Sequence, residues 1–176
     1  MSATTKNYAV LQGMLREITA LEGISGLLGW DEMVMLPPGS SDCRGAQKEA
    51  LAGVLHDKKT APALGELLRS FEGDASALSP VGQANVRIAV KAYRRETALP
   101  KELVQKIAAL ETSGYNAWIA AREASDFSLF QATLQQWVQV NSQKAALVEP
   151  AVPAYDALLD EVCLLRCLCA NLFPYV

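Results

Sequence analysis

Apolar residues return at every third or fourth position through almost the whole chain, and prolines cut that pattern into helix-length pieces. In the first piece Val10, Met14, Leu15, Ile18, Leu21 and Leu28 fall close to one helix face. Pro37-Pro38-Gly39 ends it, because a proline disfavours helical geometry at the residue before it and offers no amide hydrogen. Ser40 or Ser41 is placed to cap a second helix, with Asp42 near its positive end. That helix carries Cys43, Ala46, Ala50, Leu51, Val54 and Leu55 and ends near His56-Asp57. A third starts at Thr60-Ala61-Pro62, turns Leu64, Leu67, Leu68 and Phe71 inward, and is closed by Gly73. Ser79-Pro80 opens a fourth, with proline at the first helical position and Val81, Ala84, Ile88 and Ala92 as its apolar set. Leu99-Pro100 begins a fifth, where Leu103, Ile107, Leu110 and Trp118 share a face. Asp126 caps a sixth that carries Phe127, Phe130, Leu134, Trp137 and Val138. Beyond Pro150 and Pro153 a short helix starts at Ala154-Tyr155-Asp156.

No β-branched alternation with hairpin turns occurs, so no strands are predicted. Short connections between helices favour antiparallel neighbours. The predicted fold is all-α, built of antiparallel helical hairpins or a bundle. No linker divides it; Gly73 to Ser79 reads as a loop. Gly23, Gly26 and Gly29 each cost about 1 kcal/mol relative to alanine inside a helix. They serve either a close helix approach or a local kink.

The chain is 51% hydrophobic and 20% charged over 176 residues, enough for one core. A net charge of −3 and a 7% aromatic share argue against nucleic acid as a partner. No run approaches the ~20 apolar residues of a membrane span, and Arg166 interrupts the most apolar segment, Val162 to Val176. The opening MSATTKNYAVLQ lacks the order of a secretory signal, so the expected address is cytoplasmic. Cys163, Cys167 and Cys169 crowd the last segment, but C-x3-C-x-C is no recognised zinc spacing.

Catalytic patterns are sparse. His56 is the sole histidine, so H-E-x-x-H cannot be written in this sequence, and a Ser-His-Asp triad could use only that residue. Nucleophile-elbow, phosphate-loop and dinucleotide fingerprints do not occur. His56 is expected to be a helix-end or solvated imidazole. Trp118 and Trp137 read as core anchors, and Arg94-Arg95 as a solvated face. Lys58-Lys59 is too short for an electrostatic patch.

The stretch GLLGWDEMVMLPPGSSDCRGAQ resembles the N-terminal signature of the Taq-type thermostable carboxypeptidases. Leu27, Leu28, Trp30, Asp31, Pro37, Pro38, Gly39 and Arg44 carry the likeness, while Met35-Leu36 departs from the usual Met-Pro join. Leu51–His56, Leu99–Val104, Ala117-Trp118 with Arg122, Ser125–Phe130 and Ala154–Glu161 extend it in the right order over about residues 5 to 161.

The resemblance implies an N-terminal helical region of a larger all-helical metallopeptidase at 1–161, followed by an unrelated tail at 162–176. It implies removal of C-terminal amino acids from peptides, with zinc or another divalent metal held by H-E-x-x-H and a downstream Glu in complete members. Homodimerisation, or pairing with a full-length paralogue, is implied too. This chain, expected to be truncated before the zinc site, should carry no catalytic or metal residue and need no cofactor of its own. A non-enzymatic helical interaction module is the competing expectation. The acidic pair Asp31-Glu32 is then either a metal or acid–base pair or a structural corner. In the corner, Trp30 buries its ring where the first two helices meet. Asp31 bonds Arg44 or the amides opening the second helix, with Pro37, Pro38 and Gly39 forming the turn.

Overall fold

The computed structural model describes residues 3–37, 39–72 and 75–162. Their regular structure is helical: α1 (Ala3–Val34), α2 (Ser41–Lys59), α3 (Pro62–Arg69), α4 (Pro80–Thr97), α5 (Lys101–Ala124), α6 (Ser128–Val148) and α7 (Ala154–Val162), with a 3₁₀ turn at Ala75–Ala77. The all-α prediction holds, and every predicted helix is present. Pro38, Gly73 and the three clustered cysteines lie outside the described residues, as does the tail beyond Val162.

The chain divides into two compact units, the first ending at Asn116 and the second starting at Ala117. The division falls inside α5, where an unbroken helix gives no linker signal, and not at the loop after α3.

In the first unit α1 and α2 form an antiparallel hairpin. Glu17, Glu22 and Glu32 on α1 pair with Lys58, Lys59 and Lys48 on α2 at 2.7, 2.9 and 2.9 Å. Glu17 and Glu22, in the middle of α1, meet the end of α2, and Glu32, near the close of α1, meets α2 about three turns nearer its start, so the two helices run antiparallel. The core beneath gathers Leu11 and Ile18 of α1, Leu55 of α2, Leu64 and Leu68 of α3, and Val86 and Ala89 of α4, with Phe71 and Leu78 from the connections. Leu11 is completely buried while Val10, assigned inward from the sequence, is exposed. Both fit a helical period, and packing against α3 and α4 selects the one beside Ile18's face.

The predicted inner face of α4 is corrected. Val81 and Ile88 are exposed, and the helix buries Gly82, Val86 and Ala89 instead. A side chain at Gly82 would lie 3.1 Å from Leu78 and 3.4 Å from the Tyr8 ring, so this narrow face admits a closer approach than the bulkier one. α4 starts at Pro80 as predicted, and Ser79 caps it: its hydroxyl accepts from the Gly82 amide at 3.2 Å. Neither serine opening α2 behaves so. Ser40 sits at the N-cap position without a side-chain cap bond, and Ser41 is already helical.

In the second unit α6 packs on α7, with Val140, Ala145 and Ala157 each 1% exposed. Asp126 accepts from the Ser128 amide at 2.9 Å and holds the start of α6. Those bonds from Ser128 keep the Asp126 carboxyl below the usual carboxylate range. Phe127, Leu134 and Val138, predicted as the apolar face of α6, are exposed. Trp118 is also exposed and Trp137 half-buried, so neither is a core anchor. The buried positions of α6 are small or β-branched residues near its end, which the large side chains disguised. Among the described residues no helix is long and apolar enough to cross a membrane.

Candidate functional site

The densest polar construction in the first unit lies where the end of α1 turns into α2. Asp31 and Glu32 close α1, and Arg44 and Lys48 sit one turn apart near the start of α2. Arg44 is held three ways. One amino group donates to Asp31 Oδ2 at 2.5 Å, the other to the Leu28 carbonyl at 2.7 Å, and Nε to Gln47 Oε1 at 3.0 Å. The Leu28 bond adds a side-chain donor to a backbone carbonyl inside α1, which has a second lone pair to accept it. Of the two partners offered to Asp31 by the sequence, the structure chooses the guanidinium.

Trp30 does not join this corner; it is 56% exposed. Leu28, Asp31 and Glu32 turn toward α2, and at 100° per residue Trp30 must then face away. Pro37 and Gly39 form the turn, Gly39 with a φ of +86° that favours glycine.

Behind the corner runs a second pair. Lys48 Nζ meets Glu32 at 2.9 Å and Glu111 of α5 at 3.6 Å, and the side chains of Lys48 and Glu32 are only 11% and 7% exposed. One Glu32 oxygen has no hydrogen-bond partner in the structure. About three helical turns further along α2, Lys59 bridges Glu22 at 2.9 Å and Glu96 of α4 at 3.1 Å. Burial alone would lower the Lys59 pKa, but the Glu22 hydrogen bond and the Glu96 charge outweigh it, and the value is raised. Glu96 also lies 4.0 Å from His56 Nδ1, beyond hydrogen-bond distance.

His56 is neither solvated nor a bare dipole partner: it is 7% exposed, and its carbonyl accepts from both the amide and the hydroxyl of Thr60. It borders a cleft of about 280 Å³ together with Ser25, Lys48, Lys59, Glu96 and Glu111. Lys58 and Lys59 are individual helix-to-helix struts and not a patch. The sequence reading missed Glu22–Lys59–Glu96 and Glu32–Lys48. The signal was available in the opposite charges that face each other once an antiparallel register is laid across the Pro37 turn.

Chemically, the arrangement can hold two helices at a fixed angle. It presents no nucleophile–base pair. Among the described residues no three His, Cys, Asp or Glu side chains are grouped to hold a metal ion. With a single imidazole, whose nearest carboxylate is already engaged by Lys59, the donor set does not fit a zinc centre of the H-E-x-x-H type.

Asp31 and Arg44 therefore tie α1 to α2 at this corner. The family model of the carboxypeptidase Taq (M32) metallopeptidases matches residues 10–163. The chain belongs to the Taq-type (M32) carboxypeptidase family. Thermostable carboxypeptidase 1 of Thermus thermophilus is 32% identical over 164 residues, which cover 87% of this chain and 32% of that protein. Carboxypeptidase 1 of Bacillus subtilis is 26% identical over 147 residues, 84% of this chain and 29% of its own. The chain thus spans about a third of the length of the curated relatives it matches.

Solved structures share the fold. The BsuCP crystal structure superposes with a TM-score of 0.83 at 24% identity over 89% of this chain and 31% of that one. The Trypanosoma cruzi metallocarboxypeptidase 1 gives 0.71 at 29% identity over 89% of this chain and 32% of its own.

Proposed function

We propose that this Taq-type region forms a helical wall beside the peptide groove of a metallocarboxypeptidase that removes C-terminal amino acids. Alone, it has no peptidase activity. A wall of this kind restricts a groove to chain ends, which is what an exopeptidase needs. The observation carrying the proposal is the donor set: family membership over residues 10–163 together with one buried histidine in the whole sequence. The metal of the complete enzyme, zinc or another divalent ion, would be held by residues outside this chain. The exposed free thiol of Cys43 fits the reducing cytoplasm in which we place it.

The test is direct. The purified 176-residue chain, supplied with zinc or cobalt, is assayed for release of C-terminal amino acids from a blocked peptide, and its bound metal is measured. No release and no stoichiometric metal is the expected result. Metal-dependent release from the partner-free chain overturns the proposal.

A second reading, a non-enzymatic helical module that pairs with another polypeptide, is favoured by large apolar side chains left exposed on α1. Homodimerisation or pairing with a full-length paralogue falls under this reading, and light scattering of the purified chain tests the homodimer.

A further inference from the structure

The second half of α1 has a largely polar side toward α2 and an apolar side exposed among the described residues. Toward α2 it turns Leu28, among Ser25 and Glu32, and these are half-buried or better. On the other side Ile24, Leu27, Trp30 and Val34 follow at three- and four-residue steps and are 50%, 61%, 56% and 59% exposed. Met33 broadens the stripe at 67%. A helix of a folded protein turns its apolar stripe toward a core. The first half of the same helix obeys that rule with Leu11 and Ile18, and the second half does not.

Two glycines sharpen the point. Gly23 and Gly26 lie on the stripe's side of the helix, and nothing approaches within 4 Å of a side-chain carbon built at either. Glycine weakens a helix interior, and no contact within the described residues accounts for these two. Gly53 on α2 shows the contrast: a carbon there would meet Gln105 at 3.0 Å, because α5 lies close against it. Small residues beside large apolar ones on an open helix face leave room for another helix to sit close.

The occupant follows from the extent of the match. The relatives carry about two thirds of their length outside the part this chain matches, and the BsuCP chain keeps this same fold inside a molecule of that size. A membrane surface is a poor alternative, because no Lys or Arg occurs between Arg16 and Arg44, and interfacial helices carry basic residues on their polar face.

We infer that the Ile24–Leu27–Trp30–Val34 stripe is the docking face for the remaining two thirds of a Taq-type carboxypeptidase, which seats an apolar helix across Gly23 and Gly26. The inference rests on the helical-wall reading above and names the surface through which the wall is attached.

The experiment co-expresses the tagged 176-residue chain with the unmatched two thirds of the Thermus thermophilus relative and measures how much of the second polypeptide is recovered on the tag. Recovery in near-equal amounts is expected. Leu27→Glu with Trp30→Glu should lower it at least tenfold, while the isolated variant keeps its helicity and melting midpoint, since both side chains already face solvent. Val81→Glu, on exposed α4 surface away from the stripe, should leave recovery unchanged. No recovery with the wild-type chain overturns the inference. So does recovery indifferent to the double substitution, or a stripe that proves to serve only self-association. Recovery of a pair that shows no metal-dependent peptidase activity leaves the docking face standing and counts against the helical-wall reading. Failure to pair sinks the docking face alone, because the wall reading is judged by the lone-chain assay.

Discussion

Arg44 on α2 reaches back across the Pro37 turn to Asp31 on α1 at 2.5 Å while also donating to the Leu28 carbonyl at 2.7 Å. One guanidinium thereby ties together a carboxylate and a backbone group near the same helix end, and fixes the angle at which the chain enters α2. The Arg44 side chain is 12% exposed and that of Asp31 34%, so the pair is shielded enough to matter.

Asp31→Ala should therefore lower unfolding free energy by about 1.5 kcal/mol, the range for a hydrogen bond to a charged group. Arg44→Ala should cost more, because the Leu28 carbonyl and Gln47 lose their donor as well. Urea unfolding of both singles and the double measures the coupling, and additive effects would show that the corner is not tied by this contact.

Lys48→Ala should be the most damaging of the seam substitutions, at about 3 kcal/mol, because it leaves the Glu32 carboxylate buried without its cation. Replacing both members, Glu32→Leu with Lys48→Met, should recover most of that loss, since buried ion pairs are often matched by apolar residues of similar volume. A double variant as unstable as the Lys48→Ala single would contradict this account.

The Lys59 bridge predicts an alkaline limb in the stability profile. Its folded pKa is raised above the ordinary value of 10.5, so its contribution is complete below that pH and is lost as the pH rises through the higher folded value. Melting midpoints should fall in that range for the wild type and fall less for Lys59→Met, whose midpoint should be lower throughout the neutral range.

Glycine substitutions should split by site. Gly26→Ala should stabilise the isolated chain by up to about 1 kcal/mol, since alanine is the better helix former and nothing stands in its way. Gly65→Ala should destabilise by about 1–2 kcal/mol, because the new carbon would lie 2.3 Å from the Tyr93 hydroxyl oxygen and 2.6 Å from its ring. Thermal melts of the two variants should move in opposite directions.

The sequence by itself determined the helices and their breaks. Pro37, Pro62, Pro80 and Pro100 remove amide donors at fixed places, and Ser79 and Asp126 supply caps from a few residues away, so local chemistry suffices. It also determined that a two-histidine metal motif is absent, because that is a matter of residue count. The Asp31–Arg44 tie was legible for a similar reason, as a short-range pairing across one turn.

Only the tertiary structure decided which way each helix faces. A period of 3.6 residues leaves neighbouring apolar sets nearly equivalent, so Leu11 over Val10, and Gly82-Val86-Ala89 over Val81-Ile88, were settled by how closely α3 and α4 approach. Trp30 was read inward because tryptophan usually is; its exposure follows from Leu28 and Glu32 taking the α2 side of the helix, a choice made by Arg44 and Lys48 on another element. His56 and Lys59 were likewise drawn toward Glu96, forty and thirty-seven residues on, by packing that no local pattern encodes.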